Sequence, residues 1–299
     1  MGKRFLQYIQ QDIKLFLYVE CLMMVFRIAF LAVYAGQLDT AGWREIGYAL
    51  WVGMRISLKT AAFLTAFSFV FATICGSIWK RWPAERIRLA VGSIASGLLV
   101  LLFMIRIPYY QVFHATFNIM VFNGMQDDTH AIWDTMVHQY QVWPRLGGAV
   151  LLIAAVVYGW HYLLHTKTWQ PARHQRLYCL AVLLLLPVFG VFCRFGGAFS
   201  SDSGIPWESA ARTKNTLLNE AILDDGQAMY RAYSTYQRAH ERIMRTITPE
   251  ELKQAIAVLG GQPQAATLDE AFTRTNAKPL LPHTPKRVVV ILGENYALW

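Results

Sequence analysis

The chain has 299 residues, of which 55% are hydrophobic and 16% charged, with a formal net charge of +9. The apolar residues are gathered into long runs instead of being spread over half-buried faces, a membrane composition that excludes an ordinary soluble domain. The excess of positive charge sits in alternating connections between the runs, which argues against a nucleic-acid-binding surface and for an oriented membrane protein.

A spanning helix needs about 20 mostly apolar residues, because the hydrocarbon layer must be crossed with every backbone polar group satisfied internally. Five stretches meet that demand, at 15–35, 47–79, 89–107, 146–164 and 177–195. Lys3, Arg4 and Lys14 precede the first, Lys80, Arg81, Arg86 and Arg88 fill the connection after the second, and Lys167, Arg173 and Arg176 the one after the fourth. If all five helices span, these segments share one side, and the positive-inside rule makes that side cytoplasmic. The N-terminus is then expected in the cytoplasm of a multi-pass protein of the cytoplasmic (inner) membrane, and everything after residue 196 on the periplasmic or extracellular side. The first run has no small-residue cleavage site and reads as an uncleaved signal anchor. Cys21, Cys75, Cys179 and Cys193 fall within or at the ends of apolar helices without metal-type spacing, so they read as small helix residues and not as a disulfide or zinc framework.

Three segments are therefore expected: a five-helix transmembrane domain over 1–196, an extracytoplasmic helical linker over 197–284, and a new element over 285–299. GGAFSSDSG marks the exit from the last span. Residues 207–246 are polar but helix-prone, with an interrupted apolar stripe at Leu217, Leu218, Ala221, Ile222, Met229, Tyr230 and Tyr233, fit to lie along the bilayer or against an outer domain. TPEELKQAIAVLGG carries helix signals: Thr248 as cap, Pro249 at the first turn, Glu251 closing a capping box and Gly260 at the stop. Residues 261–284 read as loop. Residues 288–292 are a short apolar, β-branched run, the pattern of a strand buried on both faces of a parallel sheet, ended by Gly293. A single strand does not fold alone, so the chain is expected to be the front part of a longer protein.

Glu294, at the carboxyl end of that strand, is the candidate metal ligand, since ligands of open α/β sheets bind beyond the strand ends. Within the membrane domain, Arg55 and Lys59 lie four residues apart on one helix face, and Arg106 and Arg194 close the third and fifth helices, all toward the outer side. These four are the candidate contacts for an anionic lipid headgroup, set against simple snorkelling of cations to the interface. Glu20 and Arg27, two turns apart in the first helix, are expected to pair. His114, His130 and His138 lie near Asp127, Asp128 and Asp134 but match no compact ligand set. Trp43, Trp79, Trp82, Tyr109, Tyr110 and Trp143 read as interfacial anchors.

The stretch RVVVILGENYALW at 287–299 resembles the start of the alkaline-phosphatase-like catalytic domain of the lipoteichoic acid synthase family, which includes phosphoglycerol transferases and sulfatase-like proteins. Five helices followed by an outer catalytic domain is the architecture of that family. RIPYYQVFHATFNIMVFNGMQDD at 106–128 is similar to its aromatic, Asn-containing stretch, and NTLLNEAILDDGQAMYRAY at 215–233 to its linker. Asn295 stands where Ser is common, and GMRISL at 53–58 lacks an acidic residue often found there.

The resemblance implies an all-α membrane domain, a helical linker and the start of an α/β sulfatase-like domain. It implies a metal-dependent phosphoglycerol or phospho-headgroup transferase, with Glu294 as its first metal-binding residue and manganese, magnesium or zinc as the divalent metal ion. The nucleophile and the later ligands would lie downstream, so no catalytic residue is assigned within these 299 positions and the chain alone is expected to be inactive. An anionic membrane phospholipid is the implied donor and a glycan or lipid the acceptor, with no nucleic acid. Two competing readings are a sulfatase-type hydrolase of sulfate or phosphate esters and a non-catalytic, lipid-binding membrane module.

Overall fold

In the computed structural model, residues 2–38, 41–124, 129–138, 142–169, 175–243 and 248–273 are described. Five helices are long and apolar enough to cross a membrane: α1 (Gly2–Val33), α2 (Trp43–Ile78), α3 (Ala84–Phe113), α5 (Val142–Leu164) and α6 (Gln175–Arg194). A shorter helix, α4 (Thr129–His138), precedes α5. Among the described residues there is no strand. The expected strand at 288–292, and Glu294 with it, lie outside the described residues.

Several helices exceed their apolar runs. Helix α1 starts at Gly2 because its polar first turns stay amphipathic: Leu6, Ile9 and Asp12 face inward while Lys3 and Arg4 are exposed. Helix α3 runs through Pro108 and stops at His114, whose left-handed φ of 48° lets its N–H return to the Tyr110 carbonyl at 2.9 Å. Helix α2 widens into π geometry at Phe69–Ile74, and the Trp82 indole N–H donates to the Phe71 carbonyl there at 2.7 Å.

The core follows one stripe of α1, Leu15, Val19, Met23, Phe26 and Phe30, packed on Val52 and Ile56 of α2 and on Leu99, Phe103 and Tyr110 of α3. Phe26 and Phe103 stack with centroids 4.5 Å apart. Trp160 of α5 is fully buried over Gly92, where a Cβ would fall 2.2 Å from the indole nitrogen. The outward faces of α5 and α6 carry exposed Val150, Leu151, Leu180, Leu184 and Leu185, surface suited to lipid and not to water.

The bundle has two ends. At the near end, where α1 begins, Lys14 donates to the Thr166 carbonyl at 2.8 Å, and the Gln10 amide to the Trp169 carbonyl at 2.7 Å. A closed polar lock lies above them. Asp12 accepts from Ser68 at 2.6 Å, from Thr73 at 2.5 Å and from Arg88 at 3.1 Å, while Arg88 also donates to Thr73 at 2.6 Å and Gln11 at 2.5 Å. Arg88 is fully buried, and this saturation is what makes an ion pair tolerable there.

At the far end the chain does not simply leave after α6. Helix α7 (Thr216–Ile222), capped by Asn215, buries Leu217, Leu218, Ala221 and Ile222 in the same core as α1 and α2. This differs from an expectation of a linker lying along the bilayer or on an outer domain. Helix α8 (Asp225–Ile243) follows after a two-residue break. Residues 1–240 form one compact unit and 241–299 a second.

In the second unit α9 (Pro249–Val258) has the expected capping box, with the Glu251 N–H on Thr248 Oγ1 at 3.3 Å and the Thr248 N–H on Glu251 Oε2 at 3.0 Å. Gly260, at φ 76°, ends the turn as expected. The expected loop over 261–284 contains a further helix, α10 (Leu268–Phe272), capped by Thr267. The Gln262 N–H meets the Ala271 carbonyl at 2.8 Å, and Ile256 and Ala271 are buried.

Candidate functional site

The far end is organised by three arginines from three helices, each donating to backbone carbonyls of the segment that follows α6. Arg55 of α2 reaches the end of α6: its Nε donates to the Gly196 carbonyl at 2.6 Å, and its Nη2 to those of Gly197 and Ser203 at 3.4 Å. Gly196 and Gly197 take φ of 62° and 77°, a conformation that favours glycine, and a Cβ on either would stand 3.1 Å from Arg55 atoms, a tight approach. Arg106 of α3 donates to the Glu220 carbonyl and to Asp225 Oδ1, each at 2.7 Å, with its guanidinium 4.1 Å from the Phe30 ring centroid. Arg27 of α1 donates to the Ala221 carbonyl at 2.8 Å and to Ser57 at 2.8 Å. The last-turn carbonyls of a short helix and the backbone beyond a helix end need such donors when buried, and arginine supplies several from one planar group.

The docked segment is tied further at its edges. The Asn215 amide donates to the Gln37 carbonyl at 2.9 Å, the Lys214 N–H to Glu45 at 2.8 Å and the Thr116 N–H to Glu220 at 2.6 Å. At the start of α8, Gln227 donates to the Ile56 carbonyl at 2.9 Å and to Thr60 at 3.3 Å.

These contacts leave a pocket of about 260 Å³ between α2, the end of α6, the 201–208 loop and α8. Its polar lining includes Lys59, Arg194, Glu208, Gln227 and Arg231, with Trp207 beside them. Arg231 donates to Glu208 at 2.6 Å and stands 5.2 Å from the Trp207 ring centroid. The Glu208 carboxyl is held below its ordinary value by a hydrogen bond with its own backbone and by Arg231. Glu208 pairs with Arg231 and also feels the charge of Lys59, whereas Lys59 and Arg194 themselves make no ion pair with any described residue. Two exposed cations therefore face a concave site with a hydrogen-bonding amide and an indole, a lining suited to an anionic group.

Of the four basic residues singled out from the sequence, Lys59 and Arg194 line this pocket, Arg55 builds its wall through the Gly196 carbonyl, and Arg106 stands apart, spent on Asp225 and Glu220. Glu20 and Arg27 form no ion pair: Arg27 turns to Ala221 and Ser57, and neither Glu20 oxygen has a hydrogen-bond partner. His138 and Asp134 meet at 3.3 Å on the exposed side of α4, while Asp127 and Asp128 lie outside the described residues. Glu208, Gln227 and Arg231 were not readable as pocket residues. Their only signal was the DDGQ turn, with its Asp cap and glycine, opening a polar helix beside the membrane exit.

The expected divalent metal rests on Glu294, outside the described residues. Among the described residues, no three of His, Cys, Asp and Glu converge as a metal site. Comparison of the chain with protein-family models, with curated proteins and with solved structures returns no match.

Proposed function

We propose that this chain is the membrane part of a phospho-headgroup transferase of the cytoplasmic membrane, with the far end of the bundle facing outward, and that its pocket seats the anionic headgroup of the lipid donor. The observation that carries the reading is the placing of Lys59 and Arg194, two cations without an ion-pair partner among the described residues, in one pocket where α6 ends. A phosphodiester is drawn to such a pair electrostatically, and Gln227 and Trp207 offer polar and flat apolar contacts to a glycerol-like group. The far end is outward because the basic connections cluster at the near end. In this reading the second unit leads into a sulfatase-like catalytic domain, and Glu294 would hold its divalent cation.

Headgroup release from fluorescent phosphatidylglycerol, assayed in its own membranes with the protein that carries this chain together with the proposed downstream catalytic domain, tests the proposal. Each cation near the headgroup contributes about 1 kcal/mol, so Lys59→Ala with Arg194→Ala is expected to weaken donor use roughly thirtyfold. A non-catalytic lipid-binding module is supported by the same pocket, since its two cations without an ion pair, Lys59 and Arg194, both come from spanning helices. Lipid binding without release would select that module, and neither binding nor release would overturn both readings.

A further inference from the structure

Beneath the pocket lies a second polar cluster with no ligand role in that reading. Glu20 and Arg27 of α1 and Asp224, the residue before α8, are 9%, 3% and 1% exposed. Four of their atoms have no hydrogen-bond partner: both Glu20 oxygens, Arg27 Nη1 and Asp224 Oδ2. Arg27 is within electrostatic reach of both carboxylates, and Glu20 of Asp224, yet none of them forms an ion pair with another. Buried polar atoms of this kind are rarely left bare, and four from three side chains are enough to hold an internal water.

The charges do not close. Arg106 of α3 answers Asp225 directly at 2.7 Å. Two carboxylates, Glu20 and Asp224, then share the one remaining guanidinium, Arg27. The other groups facing them are Asp225 and Arg106, already paired with each other, the Cys193 thiol of α6 and, from α2, the hydroxyls of Thr60, which bonds the Asp224 carboxyl, and of Ser57, which donates to the Gly53 carbonyl at 2.9 Å. One negative charge is left uncompensated in a buried place, which is costly unless a cation or a proton joins it.

We propose that Glu20, Arg27 and Asp224 enclose a hydrated site that binds one proton, carried by one of the two carboxylates while α7 and the start of α8 are docked. Protonation leaves one carboxylate to balance Arg27 and turns the other into a donor for the orphaned oxygens or the water. The protein's own groups suffice for this, since a proton needs no ligand cage, whereas a metal would meet the repulsion of Arg27. Burial pushes the Asp224 carboxyl up to about 6, in the same direction. The site also touches the pocket above it: Asp224 caps α8 through the Gln227 N–H at 2.8 Å, and Gln227 and Arg231 line the pocket.

Infrared difference spectroscopy of the whole chain in lipid nanodiscs, titrated from about pH 5 to pH 8, reads the proton as the band present in wild type and lost in the variants, since ordinary carboxyls are mostly ionised in that range and contribute equally to both. Wild type is expected to show a protonated-carboxyl C=O band at the acid end that is lost on raising the pH, and Glu20→Gln or Asp224→Asn to remove it. Stability gives a second readout. An acid whose folded value lies above its unfolded value of 3.8 contributes stability fully below that value and loses it as pH rises through about 6. The unfolding temperature should therefore fall by several degrees across that window in wild type and stay flat in Asp224→Asn, while Glu208→Gln, outside the site, keeps the fall. Absence of the band in wild type, its persistence in both variants, or a band that shifts when sodium is exchanged for choline would overturn the proposal.

Discussion

Arg27 of α1 and Ala221 of α7 stand 194 positions apart, and the Arg27 Nε–H donates to the Ala221 carbonyl at 2.8 Å in the buried centre of the far end. The bond is possible because Gly53 lies beside it: a Cβ there would sit 2.5 Å from that same nitrogen. Gly53→Ala is expected to displace the guanidinium and release α7, at a cost of about 2–3 kcal/mol for a buried hydrogen bond to a charged donor. Hydrogen exchange over 215–228, rising in the variant while the near end keeps its protection, is the expected pattern.

The near-end lock makes a different prediction, because its polar atoms are satisfied. Arg88→Leu leaves Asp12 buried without its cation and should destabilise the bundle by about 3–5 kcal/mol. Combining it with Asp12→Leu should restore much of that loss, since the pair is offset by its own desolvation. Thermal unfolding of the two single variants and the double variant measures the coupling, and simple additivity would show that the two residues do not act as a pair.

Arg55 and Lys59 lie on one face of α2, yet they should fail differently. Arg55 holds the Gly196 carbonyl, so Arg55→Ala is expected to loosen residues 196–206 and lower the unfolding temperature. Lys59 is exposed and makes no hydrogen bond with a described residue, so Lys59→Ala should leave unfolding within about 0.5 kcal/mol of wild type. Differential scanning fluorimetry of the two variants distinguishes a wall residue from a lining residue.

The five spans were legible because about 20 apolar residues in a row have few alternatives to a membrane helix. Helix α7 was not. Thr216–Ile222 offers only Leu217, Leu218, Ala221 and Ile222, too short to span and indistinguishable from a surface stripe. That stripe packs in the core of α1 and α2, and what fixes it there is a pair of arginine bonds to the Glu220 and Ala221 carbonyls, which leave no mark in a side-chain pattern. For the same reason Arg27 read as the partner of Glu20, seven residues away, when its acceptor was on another helix. The Asp12–Arg88 pair bridges 76 positions and needed the π segment of α2 to bring Thr73 alongside. Arg194 was visible as a cation at a helix end and Lys59 as a cation within an apolar run, near the middle of α2 and not at its outer end, whereas Arg231 reached the pocket only through the docking of α8.

The central claim is that the far-end pocket selects an anionic headgroup. Native mass spectrometry of the chain released from mixed phosphatidylglycerol and phosphatidylcholine nanodiscs tests it most directly. The account predicts retained phosphatidylglycerol in wild type, about thirtyfold weaker retention in Lys59→Ala with Arg194→Ala, and near-normal retention in the charge-preserving Lys59→Arg with Arg194→Lys. Equal retention of the two lipids, or no loss in the alanine pair, would contradict it.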